Sequence, residues 1–320
     1  MAILNYFAQA DMSNPQIYYG YVDYNTSSAI SISYGSYTGI YSGSFKYKNG
    51  AVSGKLNSYE VYRNGDLLGS AQGLKLNAAT AYNYIQILGN APAFIEFALK
   101  GNDTIHGSGY DDILLGFKGN DTLNGNGGDD VIHGGVGNDK INGGNDDDYL
   151  LGQSGNDVIY TGNGENYVDG GDGNDKIYGD DGRNILLGGN GKDTIIGGSS
   201  GNALSGGLGK DIITGGASQD QFGFYSAASK ANQDTIKGFQ DGSDVIFLDP
   251  TIFANLASIV EENIVNGKNA LDANDYLIFT KSTLYYDNDG SGPQKMQPIA
   301  TFQGISSLHV DDFTITDLAF

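Results

Sequence analysis

The 320-residue chain carries 50 glycines, only five prolines, no cysteine and a formal net charge of −21. Glycine does not recur at every third position, which excludes a collagen triple helix, and the lack of cysteine excludes disulfides and thiolate metal sites. The negative charge disfavours nucleic acid and anionic membranes as partners and favours cations, and no apolar stretch is long enough to predict a membrane span.

The distribution of charge divides the chain into three predicted regions. Residues 1–97 hold five acidic and five basic side chains, residues 98–223 hold 20 and seven, and residues 224–320 hold 13 and five. We therefore predict a neutral N-terminal domain at 1–97, an acidic central domain at 98–223 and an acidic C-terminal region at 224–320. The first residues lack a basic segment followed by an apolar run, so they do not predict a cleaved signal peptide.

The N-terminal region is rich in tyrosine, with 13 tyrosines in residues 1–97. Two Asn-Gly dipeptides, at 49–50 and 64–65, each separate runs of β-forming residues, a pattern typical of tight hairpins. Residues 77–88 are compatible with a short helix capped by Asn77 or with another strand. We expect a small, mostly antiparallel β domain that covers the first coil of the central region. Its tyrosines suit ordinary cross-strand packing or stacking on sugar rings.

The central region is a strict repeat. Residues 98–223 form 14 consecutive blocks of nine residues without an insertion or deletion. The eighth position of every block is apolar, from Ile105 to Phe222, and the sixth position is aspartate in 11 blocks and asparagine in three. One block cannot bury its aliphatic side chain alone, so the period predicts stacked copies of one unit around a shared core.

Two blocks per coil, each with a short strand and a glycine-rich turn, predict an all-β fold, a parallel β-roll of about seven coils at roughly 4.8 Å per coil. The sixth-position carboxylates would then stack in two columns with neighbours about 5 Å apart. At an effective dielectric near 20, each adjacent pair would repel by roughly 3 kcal/mol. A domain stable by about 5–15 kcal/mol cannot tolerate two such columns without cations between the coils.

The donor atoms indicate which cation is needed. Carboxylate and backbone carbonyl oxygens, without His or Cys nearby, select calcium over zinc or copper. Solvated turn residues are the alternative reading, but turn preference does not explain the strict phase with the aliphatic positions. The predicted calcium ligands are the sixth-position aspartates, namely Asp103, Asp112, Asp121, Asp130, Asp139, Asp148, Asp157, Asp175, Asp193, Asp211 and Asp220.

Several blocks resemble a known repeat. The blocks GGVGNDKIN (134–142), GGDGNDKIY (170–178) and GGNGKDTII (188–196) resemble the G-G-x-G-x-D-x-U-x nonapeptide of RTX proteins. This resemblance implies a β-roll that binds several calcium ions and folds when it binds them. It also implies an extracellular protein that is exported by a type I secretion system.

The two sides of the predicted roll differ. Odd-numbered blocks always carry glycine at position four and aspartate at position six, whereas the three asparagines all fall in even-numbered blocks. An amide offers a divalent ion only a neutral oxygen. We therefore predict a complete calcium column along the odd blocks. The even column should be occupied mainly around Asp112, Asp130 and Asp148, and weak or empty from Asn166 to Asn202.

The C-terminal region carries two further signals. Residues 234–248 alternate apolar and polar residues and resemble the segment that closes RTX arrays, so we expect them to cap the roll. The DNDG sequence is compatible with one more calcium ion on Asp287 and Asp289, but the missing ligands of an EF-type loop favour a hairpin turn. The final residues, 311–320, are apolar and acidic and resemble the uncleaved signal that engages the type I secretion machinery.

Catalytic motifs are absent or out of context. No H-E-x-x-H zinc motif occurs, and the G-x-S-x-G match at 197–201 lies in phase with the repeat instead of at a strand-to-helix turn. The sequence therefore predicts a non-enzymatic, secreted calcium-binding protein with an extracellular binding, matrix or surface role. The alternative is a polysaccharide-active enzyme or its carbohydrate-binding module, with the site for a cell-surface or extracellular polysaccharide in the N-terminal region.

Overall fold

A computed structural model describes the strand backbones between residues 3 and 77, and residues 101–107, 109, 111–254, 256, 264–267, 276–288 and 296–314. The described elements are β-strands, with one three-residue 3-10 helix at Val310–Asp312. The chain forms two compact units, Met1–Ser154 and Gly155–Phe320. No helix in the described ranges is long and apolar enough to cross a membrane.

The first unit begins with an antiparallel sheet. Its strands are β1 (Ile3–Tyr6), β2 (Tyr21–Asn25), β3 (Ala29–Tyr34), β4 (Tyr37–Lys48), β5 (Ala51–Arg63) and β6 (Asp66–Asn77). Strands β2 to β6 pair in chain order, and β1 pairs with β6. Strand pairing reaches the edges of both Asn-Gly dipeptides, at Lys48↔Ala51 and at Arg63↔Asp66.

The first unit continues as parallel coils. One face carries β7 (Thr104–His106), β9 (Thr122–Gly127) and β11 (Lys140–Asn145), and the other carries β8 (Ile113–Leu115), β10 (Val131–Val136) and β12 (Tyr149–Ser154). Strands on one face pair with residues 18 positions away, as in Ile105↔Leu123. Strand β1 also pairs in parallel with β7, so the N-terminal sheet extends the edge of the first coil.

The second unit repeats this arrangement. Strands β13 (Val158–Gly162), β15 (Lys176–Tyr178), β17 (Thr194–Ile196) and β19 (Ile212–Thr214) form one face; β14 (Tyr167–Asp172), β16 (Ile185–Gly191), β18 (Ala203–Gly209) and β20 (Gln221–Phe224) form the other. We call the strands of odd-numbered blocks the odd face and those of even-numbered blocks the even face. The predicted all-β parallel roll is confirmed, as a parallel β-solenoid of about six turns.

The eighth-position side chains form the core. All 14 of them, from Ile105 to Phe222, are at most 1% exposed. In most blocks their neighbours at positions seven and nine are more exposed, because successive side chains of a strand alternate between its two faces; Ser205 and Gln221 are buried exceptions. Burial of each such aliphatic side chain contributes roughly 1.5–3 kcal/mol. The ladder therefore fixes the register that brings the sixth positions of neighbouring coils together.

Parallel stacking continues beyond residue 223. Strand β21 (Asp234–Lys237) pairs with β19, and β22 (Val245–Leu248) pairs with β20. Strands β23 (Ile264–Asn266), β24 (Leu277–Thr280) and β25 (Thr283–Tyr286) follow, and β26 (Gln297–Phe302) and β27 (Phe313–Thr314) then add to β21 and β22. The domain boundaries drawn from composition stay predictions.

Aromatic side chains join the aliphatic ladder at this end of the second unit. The Phe239 ring lies 5.7 Å from that of Phe222 and 5.3 Å from that of Phe302, and Phe279 packs against Phe302 at 6.2 Å. These tilted and edge-to-face rings fill more volume than single aliphatic side chains. They close the core beyond the last repeat.

Three sequence predictions fall partly outside the described residues. These are the choice between helix and strand for 78–88, the metal-ligand role of Asp289, and the secretion signal, of which 315–320 are not described.

Candidate metal centre

The sixth-position side chains form ladders of hydrogen bonds along each face. The backbone N–H of Asp103 donates to Oδ1 of Asp121 at 2.7 Å, and that of Asp121 donates to Oδ1 of Asp139 at 2.7 Å. In the second unit the N–H of Asp175 donates to Oδ1 of Asp193 at 2.8 Å. Each carboxylate is therefore held by the coil before it, with one oxygen engaged and the other directed elsewhere.

All predicted ligand side chains in the repeats are buried. The sixth-position aspartates and asparagines from Asp103 to Asp220 are at most 3% exposed. A buried carboxylate is stable only with hydrogen bonds or a cation, because burial removes its hydration. The side chains are thus unlike the solvated turn residues of the alternative reading.

The second oxygen of several carboxylates lacks any hydrogen-bond donor. This holds for Oδ2 of Asp121 and Asp130 in the first unit and for Oδ2 of Asp175 and Asp193 in the second. An unsatisfied buried acceptor costs about 1–3 kcal/mol, and more when it is charged. These oxygens are the clearest indication that a positive group belongs at the ladders.

The unsatisfied oxygens face small gaps beside the first-position glycines. A Cβ atom placed on Gly188 would lie 2.5 Å from Oδ2 of Asp193 and 2.6 Å from the carbonyl oxygen of Gly206, in the next coil. In the first unit, a Cβ atom on Gly116 would lie 2.7 Å from Oδ2 of Asp121. Glycine leaves these gaps open, and a carboxylate oxygen and a carbonyl oxygen line them together.

The electrostatics agree with the need for a cation. Burial, above all, raises the pKa of Asp121 from its ordinary 3.8 to about 7; the Asp103 N–H offsets part of this rise, and the carboxylates of Asp139 and Asp103 add to it. Burial likewise raises the pKa of Asp130 and Asp148 to about 7. Without a cation, these carboxyl groups would therefore be only about half ionised near neutral pH, instead of almost fully ionised as in water.

Most oxygens at these gaps must come from the backbone. Within the described ranges, no three side chains of His, Cys, Asp or Glu converge on one point. Calcium accepts six to eight oxygen ligands, including backbone carbonyls, whereas structural zinc sites use mainly Cys and His. The donor set at the glycine gaps therefore fits calcium.

The asparagines of the second unit satisfy oxygen atoms of the turns with amide N–H donors instead of a metal. The Nδ2 group of Asn184 donates to the carbonyl oxygens of Gly179 at 2.5 Å and Gly182 at 3.2 Å. The Nδ2 group of Asn166 donates to the carbonyl oxygen of Gly164 at 3.2 Å. These amide N–H groups lie against backbone oxygens of the turn, where a cation would otherwise be needed.

Asp220 differs from the other predicted ligands. Its Oδ1 accepts hydrogen bonds from the backbone N–H of Asn202 at 2.8 Å and from Nδ2 of Asn202 at 3.2 Å. Its Oδ2 accepts the N–H of Gly216 at 2.5 Å. Both oxygens are satisfied by N–H donors, so this carboxylate has the least need for a metal.

Two residues that sequence reasoning did not select continue the ladders. Asp234 Oδ1 accepts the N–H of Asp211 at 3.0 Å, and Asp244 Oδ1 accepts the N–H of Asp220 at 2.9 Å. Their spacings are 23 and 24 residues instead of 18, which breaks the nine-residue phase. The available signal was the D-x-I pattern, in DTI at 234–236 and DVI at 244–246.

The remaining candidates lie away from the ladders. Asp287 is buried at the end of β25, where its N–H donates to the carbonyl oxygen of Tyr276 at 2.9 Å. Ser199 of the G-x-S-x-G match lies in the turn between β17 and β18, and its hydroxyl donates to Oδ1 of Asp181 at 2.6 Å. A strand, not a helix, follows this serine, so the context of a nucleophile elbow is absent here.

Comparison with known proteins agrees with the repeat geometry. The family model of the RTX calcium-binding nonapeptide repeat, which spans four copies, matches residues 97–132, 124–159, 151–186, 160–195 and 187–222. No curated protein matches the chain. Residues 97–222 are therefore RTX repeats, and calcium is the cofactor of this region.

Proposed function

Because residues 97–222 carry RTX repeats that bind calcium, we propose that calcium completes the fold of this protein, which then acts outside the cell without catalysing a reaction. The observation that carries this proposal is the set of buried Oδ2 atoms without a donor, such as those of Asp121 and Asp193. A cation at each gap would satisfy these oxygens together with the facing glycine carbonyls.

The proposed ligands follow the two faces. On the odd face they are Asp103, Asp121 and Asp139 in the first unit and Asp157, Asp175, Asp193 and Asp211 in the second. On the even face they are Asp112, Asp130 and Asp148, all in the first unit. The stretch from Asn166 to Asn202 should bind little or no calcium, since its amides already donate to the turn carbonyls. Asp220 ranks last, because N–H donors satisfy both of its oxygens.

Calcium titration tests this assignment. Chelated protein is titrated with calcium, with magnesium as the control ion, while far-UV circular dichroism and the number of bound ions are followed. We expect a cooperative gain of β-structure near millimolar calcium, as for extracellular sites with dissociation constants of about 10⁻⁴–10⁻³ M. Full folding in chelator would contradict metal-driven folding.

Two adjacent aspartates provide a matched pair of variants. Asp130 is 1% exposed with a donorless Oδ2, whereas Asp129 is exposed and its Oδ1 accepts the N–H of Asp147 at 3.0 Å. Asp130→Asn and Asp129→Asn remove the same charge one residue apart. We expect only Asp130→Asn to lose bound calcium and to raise the calcium concentration needed for folding. Equal losses of bound calcium in the two variants would show that calcium responds to the overall negative charge and not to the ladder carboxylates.

The extracellular part of the proposal rests on calcium availability and on the C-terminal resemblance. Sites that need millimolar calcium stay empty in the cytosol, so the repeats would cross a type I export channel unfolded and fold outside. Export from cells with and without a type I system, for the full chain and for a chain lacking 311–320, tests the route. Equal export in all four cases would refute it.

The proposed role is that of a binding, matrix or surface-associated protein. The buried aspartates serve the fold, and Ser199, the one residue that fits a nucleophile motif, lies in a repeat turn. Binding to a glycan array and turnover of uronate polysaccharides, both measured with calcium present, separate this role from an enzymatic one. Turnover would overturn the non-catalytic proposal and leave the calcium sites untouched.

A further inference from the structure

The two ladders of the second unit end in different ways just beyond the last repeat. Strand β21 stacks on β19 with Ile213↔Ile236, and β22 stacks on β20 with Phe222↔Ile246. Asp234 and Asp244 thus each stand two residues before an apolar side chain that continues the core ladder. Both are buried, at 3% and 1% exposure. They lie outside residues 97–222, which the repeat family covers.

The even-face end is closed by main-chain donors. Asp244 Oδ1 accepts the N–H of Asp220 at 2.9 Å, and Asp244 Oδ2 accepts the N–H of Gln240 at 2.8 Å. Asp220 is also satisfied on both oxygens, by Asn202 and Gly216. Two buried carboxylates with this many N–H donors need no cation.

The odd-face end lacks such donors. Asp234 Oδ1 accepts the N–H of Asp211 at 3.0 Å, but Asp211 Oδ2, on a side chain that is 1% exposed, has no hydrogen-bond donor. The carboxylates of Asp211 and Asp234 are also close enough to interact directly. Two buried carboxylates in contact cannot both be ionised without a positive charge between them, so they hold either a shared proton or a cation.

We propose that a divalent cation of the calcium type binds between Asp211 and Asp234 and fastens the C-terminal strands to the end of the roll. The inference rests on the proposed function for Asp211 and extends it to a residue outside the nonapeptides. Strand β26 pairs with β21 through Asp234↔Ala300. An ion at Asp234 would therefore stabilise two strands, β21 and β26, beyond the last repeat of this face.

The pair Asp234→Asn and Asp244→Asn tests the proposal in the full-length chain. Both variants keep an Oδ1 acceptor and remove one buried charge. Bound calcium is counted by native mass spectrometry, and hydrogen exchange is followed in 234–237 and 297–302 at saturating calcium. We expect Asp234→Asn to bind one ion fewer and to exchange faster in both segments, and Asp244→Asn to keep the wild-type ion count. A wild-type count in Asp234→Asn overturns the site, as does equal loss in both variants.

Two controls separate this inference from the proposed function. If Asp130→Asn loses an ion and Asp234→Asn does not, the terminal site fails and the repeat sites stand. If neither variant loses an ion, both proposals fail. Should Asp234→Asn not fold, crystals of the wild-type protein grown in calcium decide the question, because an anomalous scattering peak between Asp211 and Asp234 supports the site and a map without one refutes it.

Discussion

The stability of the calcium-free roll should fall as the pH rises, opposite to the usual effect of acid on a folded protein. The pKa of Asp193 is raised from 3.8 to about 7, mainly by burial. The hydrogen bond from the Asp175 N–H lowers this pKa, and the carboxylates of Asp211 and Asp175 raise it. In the unfolded chain the same group titrates near 3.8. A difference of about three pKa units corresponds to on the order of 4 kcal/mol.

The direction follows from proton binding. Below pH 4, Asp193 is protonated in both states and adds no penalty. Between pH 4 and pH 7 the unfolded chain loses this proton while the folded chain keeps it, so the free energy of unfolding decreases. Above pH 7 the full penalty applies. Asp121, with a pKa of about 7, adds a similar penalty, and two such penalties are comparable with the whole stability of a typical domain.

Calcium reverses this dependence. The ion binds the ionised carboxylate, so binding releases protons and its affinity falls as the pH drops below about 7. Protein freed of metal on a chelating resin is followed by circular dichroism at pH 5, 6, 7 and 8, with and without saturating calcium, and it is unfolded with urea at each pH at which it is folded. Asp193→Asn should flatten the calcium-free slope. A free energy of unfolding that increases from pH 5 to pH 7 without calcium would refute the reasoning.

Three further predictions concern single positions. Ile195→Ala should lower the free energy of unfolding in calcium by about 2–5 kcal/mol, because Ile195 is fully buried. Its control, Ile196→Ala, alters a residue that is 38% exposed and should change this free energy by at most about 0.5 kcal/mol. Chemical denaturation measures both variants, and similar losses would contradict the core ladder. Gly188→Ala should weaken calcium binding in calorimetry, since its Cβ would lie 2.5 Å from Asp193 Oδ2. The control Gly101→Ala should not weaken binding, because its Cβ would have no atom within 4 Å. Equal calcium affinities of the two variants would show that the ion lies elsewhere. Asn184→Asp should add one bound calcium ion and destabilise the calcium-free protein, because a carboxylate replaces the amide that donates to the Gly179 carbonyl oxygen. Mass spectrometry counts the bound ions. An unchanged count would show that the Asn184 amide does not prevent calcium binding.

The sequence predicted the roll and most candidate ligands because both depend on a period. An aliphatic residue every nine positions can be buried only by stacking, and the register then places the sixth positions together. The same reasoning stopped at residue 223, since insertions of five and six residues before Asp234 and Asp244 break the phase while the strands keep their pairing. Periodicity carries no information about a ladder that resumes after an insertion.

The sequence also could not predict which sixth-position aspartates have hydrogen-bond donors for both carboxylate oxygens. Asp193 and Asp220 occupy the same position of their blocks, yet Oδ2 of Asp193 has no donor and Oδ2 of Asp220 accepts the Gly216 N–H. The difference lies in the course of the turn backbone, which residue identity alone does not specify. In the N-terminal region, strand pairing is described only for the backbone, so the role of the tyrosines stays a prediction.

The asparagine stretch also bears on the order of events during folding. In a solenoid, each coil gains stability mainly from its neighbours, so folding spreads from whichever coils form first. Coils around Asn166 and Asn184 satisfy their even-face turns with amide N–H groups and need no ion on that side. We therefore expect these coils to form first in the second unit at low calcium. The rate of folding should therefore depend on calcium less steeply than the final stability does.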